Sequence, residues 1–191
     1  MMNKIHTLIM TSCLLLVGAY VNAQSGSPDP TFDGDGIVTT SFGSSTDDKG
    51  RAVAIQNDGK IVVAGKSSGK FAIARFNTIG GLDTSFSADG KQTTNFTGSM
   101  FDEGKSLAFQ TDGKIILAGI TTNSSTNGDF AIVRYKTNGN LDNTFSGDGM
   151  QITAIGNNND DRIRIGVRSP LYSCVFHCPL ASDTEHTITL R

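Results

Sequence analysis

An all-β fold built from repeats is predicted by three observations. Residues 29–65 recur as residues 83–119, with 18 of 37 positions identical. Turn residues punctuate the repeats at short intervals, and no stretch longer than ten residues keeps a helical period. The recurring positions include Phe32/Phe86, Asp35-Gly36/Asp89-Gly90, Phe42/Phe96, Gln56/Gln110 and Asp58-Gly59-Lys60/Asp112-Gly113-Lys114. Ala64-Gly65 likewise recurs as Ala118-Gly119. Further along the spacing grows from 54 to 59: Phe71-Ala72-Ile73 matches Phe130-Ala131-Ile132, and Arg75 matches Arg134. The extra residues fall within the Ser/Thr/Asn-rich run 121–127, a composition suited to a surface loop.

Each repeat reads as four short strands. In the first they are expected at 37–42, 51–56, 60–66 and 70–77. The 37–42 segment carries Thr39-Thr40-Ser41, fitting an outer strand that partly meets solvent. Asn57-Asp58-Gly59 separates the second and third strands and is a hairpin signal, because Gly accepts the positive φ such turns need. The third and fourth strands are rich in Val, Ile, Ala and Phe, as strands buried on both faces are. The second repeat places its strands at 91–96, 105–110, 114–122 and 129–136, so two four-stranded antiparallel sheets are expected within 36–137, stacked face to face. A lone four-stranded sheet cannot bury both faces, so it needs neighbours. Four strands per unit at this repeat length predict a β-propeller-like repeat, with two blades plus the start of a third. Closed propellers have about four to eight blades, so an incomplete propeller is expected, with exposed blade faces open to self-association.

The pattern Leu-Asp-x-x-Phe, Asp-Gly, Gln-x-Asp-Gly-Lys-Ile, Ala-Gly, Phe-Ala-Ile-x-Arg resembles the delta-60 repeat. The resemblance covers residues 29 to about 162. It implies blades of a β-propeller type in bacterial secreted proteins of unassigned function, and it brings no catalytic residues, substrate or cofactor with it.

Lys4 and His6 precede the apolar run Leu8–Val17, and Val21-Asn22-Ala23 supplies the small residues of a cleavage site. Residues 1–23 therefore read as a signal peptide and the protein as secreted or cell-surface. The apolar run is too short for a spanning helix, so no membrane span is expected after cleavage. Cys13 lies within the run, which argues against a lipidated cut there. Net charge is −2, from 16 Lys+Arg and 18 Asp+Glu, which leaves no basic footprint for nucleic acid.

Repeats are assigned to 29–82 and 83–141, with a partial third at 142–162. Leu141, Asp142, Phe145 and Asp148-Gly149 open the third unit, and Asp161 falls 59 residues after Asp102. The pattern then fails: Ser169 and Leu171-Tyr172-Ser173 stand where Gln and Asp-Gly-Lys are due. Residues 163–191 form a divergent tail in which no strand pattern is recognised. Two readings stay open, a sequence outside the native reading frame or fragment boundary, and a divergent unit that caps the array.

Candidate chemistry is sparse. Asp33 and Asp35 resemble the start of a calcium loop, but their counterparts Ser87/Asp89 and Ser146/Asp148 keep one carboxylate each. Cys174, His177 and Cys178 are soft zinc-type ligands with no second pair in the mature chain. The other prominent acids recur with the repeats (Asp58/Asp112, Asp83/Asp142), which suits turn residues better than an asymmetric catalytic set. Arg75 and Arg134 are expected to pair with one of these carboxylates. The non-repeating Asp47, Lys49 and Glu103 are scattered. No catalytic or cofactor site is assigned. The expected function is a structural or binding module with an unidentified extracellular ligand or protein partner; the alternative is an extracellular polysaccharide-active hydrolase or lyase on a propeller scaffold.

Overall fold

A computed structural model describes residues 26–44, 46–124 and 128–154, together with the backbone of three short strands between 164 and 188. The expected leader, 1–23, lies outside the described residues. Among the described residues there is no helix.

The first sheet holds β1 (Asp48–Ile55), β2 (Ile61–Ser67), β3 (Lys70–Phe76) and β4 (Lys91–Thr94) in the order β1-β2-β3-β4. The second holds β5 (Phe101–Phe109), β6 (Ile115–Thr122), β7 (Asp129–Tyr135) and β8 (Met150–Thr153), in the same sequential order. Every pairing is antiparallel. The hairpin tips lie where the Asp-Gly signals put them. In each, the Gly N–H donates to the Gln carbonyl three residues back (2.9 Å), with the Gly at φ +82° or +80°. A turn followed by a left-handed residue is a three-residue hairpin loop, and it fixes the register of β1 on β2 and β5 on β6.

The grouping of strands differs from the expectation. Residues 91–94 do not open the second sheet but close the first, pairing with β3 from Phe71↔Thr94 to Ala74↔Lys91. Residues 150–153 close the second sheet in the same way. The equivalent segment 37–42 is not a strand. The physical reason lies in the connection after the third strand. Asp83 N–H donates to the Arg75 carbonyl, while Arg75 N–H donates to the Gly90 carbonyl. The loop is thus folded back on β3, and the strand that follows must join the sheet just completed. Segment 37–42 forms no strand; Val38, Thr40 and Phe42 instead line an apolar cavity against β2 and β3.

Pairing fixes which side chains share a face. Val62, Ala64, Phe71 and Ile73 point from the first sheet toward the second, where Ile115, Leu117, Val133 and Tyr135 meet them in one buried cluster. Phe71 and Phe96 make an edge-to-face contact within it, with centroids 5.3 Å apart. The recurrent Ala-Gly has a steric cause. A Cβ on Gly65 would stand 1.9 Å from the Lys49 carbonyl oxygen, and one on Gly119 would stand 2.0 Å from that of Glu103. Both glycines face bulges, at Gly50/Ala52 and Gly104/Ser106, where β1 presses on β2 and β5 on β6.

The tail also departs from expectation. Strands β9 (Arg164–Arg168), β10 (Ser173–His177) and β11 (Thr187–Ile188) form an antiparallel sheet in the order β11-β10-β9, with β9 against β5. β9 and β10 fall where the 59-residue spacing from β5 and β6 puts the next pair of strands. The repeat motif is lost there, but the two-residue alternation of Ile165 and Val167 between Arg164, Gly166 and Arg168 remains.

Candidate functional site

The two hairpin tips and the loop after β7 stand at one end of the sheets, and between them opens a cleft of about 880 Å³. Its rim carries Gln56 and Asp58 from the first tip, Gln110 from the second and Asn138 from the later loop, with Lys60 and Arg75 beneath. Ala54, Leu107 and Phe109 give it an apolar wall. Amides over an aliphatic wall offer donors, acceptors and contact area without fixed net charge.

Arg75 organises the floor. Its side chain is 6% exposed, and its Nε donates to Asp83 Oδ2 at 2.8 Å. Nη1 donates to the Thr137 carbonyl (2.7 Å) in the second repeat, and Nη2 to the Ser85 hydroxyl (3.1 Å). The guanidinium also lies 4.7 Å from the centroid of the Phe86 ring. Asp83 is further paired with Lys60 at 3.2 Å. Burial would raise the Asp83 carboxyl, but the Ser85 hydroxyl and N–H, Lys60 and Arg75 outweigh it and hold the pKa at about 2. The second repeat has the same group: Arg134 Nε lies 2.8 Å from Asp142 Oδ2, and Thr144 donates to Asp142 Oδ1. Asp142 is likewise held below the usual carboxylate range: burial is opposed by Thr144, Arg134 and Lys114.

The remaining recurrent acids cap turns. Asp35, Asp89 and Asp148 each accept the backbone N–H two residues on at 2.8–2.9 Å, and Asp58 and Asp112 do so at 3.2 and 3.1 Å. Asp33 is placed by its backbone: at φ 51° its N–H donates to the Ile79 carbonyl. Ser87 holds the same conformation and donates to the Asn138 carbonyl, so this position asks for a left-handed residue rather than a carboxylate. Among the described residues, no three His, Cys, Asp or Glu side chains come together in a metal-ligating group. Cys174 and His177 lie in β10, with their side chains outside the described residues, as is Cys178.

A second polar group, at the opposite end of the strands, was not anticipated. Asp102 is fully buried and accepts from Phe96 N–H, the Ser99 hydroxyl and the Thr121 hydroxyl. It ties the turn between the sheets to β6. Glu103, 4% exposed, joins the sheets by pairing with Arg51 at 2.6 Å and is paired with Lys105 as well. Asp47 takes Lys66 at 2.5 Å and Lys49 at 3.5 Å. The residues that looked scattered in sequence are therefore each neutralised locally. The correspondence of Asp48 with Asp102 was the available signal: Asp48 caps its own turn through Phe42 N–H and the Thr46 hydroxyl.

This geometry can be set beside known proteins. The family model described as a domain of unknown function (DUF5122) β-propeller matches residues 56–86 and 110–145. The sheets are blades of β-propeller type. The two matched stretches begin at the hairpin glutamines, Gln56 and Gln110, and end at Phe86 and Phe145, the aromatic rings beneath Arg75 and Arg134. The two described blades stand side by side without closing a ring. No curated protein matches the chain.

Proposed function

We infer that the protein is a secreted repeat module of the delta-60 kind, and that it binds or supports an extracellular partner without catalysing a reaction. The cleft between the hairpin tips is its contact surface. The observation that carries this reading is the state of the carboxylates there. Asp83 is ionised and held by Arg75 and Lys60, and Asp58 is occupied by its own turn and by Lys60 at 3.4 Å. A general acid needs a raised pKa, and a base or nucleophile needs a free lone pair aimed at substrate. These groups offer neither, whereas the side-chain amides of Gln56, Gln110 and Asn138 keep their NH2 donors for a polar neutral ligand, with the Gln56 and Asn138 oxygens already accepting from Arg75 (3.5 Å) and Asn140 N–H (3.2 Å).

The test is to incubate the exported chain with insoluble neutral polysaccharides, then measure both co-sedimentation and newly formed reducing ends. The expected outcome is no new reducing ends, with any retention weakened by Gln110→Ala. Release of reducing ends would overturn the reading in favour of a glycan-cleaving enzyme.

A further inference from the structure

The contact between the blades shows what a blade holds on the face it turns toward the preceding repeat. Phe71 of the first blade is buried there against the second. Its ring makes the edge-to-face contact with Phe96, and a Cβ on Gly119 would stand 2.8 Å from its Cζ. Leu117 and Val133 belong to the same buried cluster. The repeat spacing puts Phe42, Gly65, Val63 and Ala74 at the equivalent sites of the first blade. All of them line the apolar cavity of about 260 Å³ between residues 32–42 and β2–β3. Where the second blade has the Phe71 ring, the first therefore has this space. Val63 and Ala74 are smaller than Leu117 and Val133, which widens it.

We propose that this cavity binds a small ligand built on a single unfused aromatic ring. The second blade supplies the precedent, because the same set of a Phe ring, a bare glycine and aliphatic branches holds a phenyl group there. Edge-to-face contact with Phe42 favours an aromatic occupant over a saturated one of the same size. An apolar cavity of about 150 Å³ is enough to take up benzene, so the larger space here holds a ring with a short substituent. The way in lies at the roof, where Val38, Thr40 and Phe42 are part-exposed, while Ala72 and Ala74 beneath are 3% and 2% exposed. A second copy offers no ring through the same contact, since Phe71 and its counterpart Phe130 are 0% and 2% exposed within their own chain. The cavity shares no residue with the cleft at the hairpin tips, so it stands apart from the role of that cleft.

The test is an NMR titration of the exported chain, read at its methyl groups, with toluene in one arm and methylcyclohexane in the other. Saturable shifts with toluene are expected at Val38, Val63 and Ala74, with methylcyclohexane bound about threefold more weakly or worse. The double variant Val63→Leu, Ala74→Val installs the residues that the second blade carries at the same sites and narrows the cavity. It should keep the circular dichroism spectrum and weaken toluene by at least about tenfold. Phe42→Leu, at a part-exposed position, should weaken toluene and leave methylcyclohexane unchanged. Absence of saturable shifts would overturn the proposal, as would equal affinity for the two probes. Toluene affinity unchanged in both variants would place the binding elsewhere and overturn it too.

Discussion

Gly119 and Asp83 carry the clearest single-residue consequences. Gly119→Ala places a methyl group against the Glu103 carbonyl and Phe71, where neither backbone nor ring has room to yield. The substitution is expected to cost about 3 kcal/mol, the upper end for overpacking, read as a fall in the urea midpoint at unchanged slope. Asp83 gives a pH dependence whose sign follows from its depressed pKa. The folded carboxyl titrates near 2 and an unperturbed one near 3.8, so its contribution to stability is complete above about pH 4. That contribution is lost as pH falls toward 2. Urea midpoints measured down this range should drop in the wild type, and the drop should be shallower in Asp83→Asn. A drop of equal steepness in the variant would place the acid sensitivity elsewhere.

The connection after the third strand of each blade is the element that sets both blade grouping and blade contact. Arg75 reaches from β3 through this loop to the Thr137 carbonyl of the next repeat, so one side chain ties a blade to itself and to its neighbour. Arg75→Met leaves Asp83 buried with only Lys60 to pair it and is expected to destabilise the pair of blades by about 3–5 kcal/mol. Arg134, with its side chain 17% exposed against 6% for Arg75, should tolerate the same change better. Thermal unfolding of the two variants checks the order. A smaller link joins β4 to β7, where the Tyr135 hydroxyl meets that of Thr94 at 2.7 Å in a fully buried setting. Burial pushes the Tyr135 phenol well up, with the Thr94 contact opposing it, so the hydroxyl stays protonated and available to donate. Tyr135→Phe leaves Thr94 without that partner and should cost about 1–2 kcal/mol.

At the scale of the whole molecule stand the expected export and the exposed aliphatic side chains of the first blade. Cells carrying the gene are expected to release a chain beginning at Gln24, which N-terminal sequencing of the secreted protein checks; an intact Met1 on a cytosolic product would contradict it. Val53 and Ile55 are exposed on β1, which among the described residues is an edge strand of its sheet. Such an edge is a template for strand addition unless it is covered.

The repetition of the sequence determined the repeat length, the hairpin tips and the meaning of most acidic residues. A residue demanded by local backbone geometry recurs wherever that geometry recurs: Asp58 and Asp112 cap equivalent turns, and Asp83 and Asp142 pair with Arg75 and Arg134 as their spacing suggests. Local signals are short-ranged, and turn chemistry needs only neighbours. What they could not fix is which sheet a strand joins. Residues 91–94 carry the same alternation whether they open one blade or close another, and the choice is made by the 77–90 loop folding back onto β3. The cleft is tertiary for the same reason. Gln56, Gln110 and Asn138 are far apart in the chain and meet at one rim because stacking the blades brings their turns together. Glu103 with Arg51 is the clearest case: neither has a repeating counterpart of its own type, so no internal comparison could find the pair, and only the burial of one blade against the other creates it.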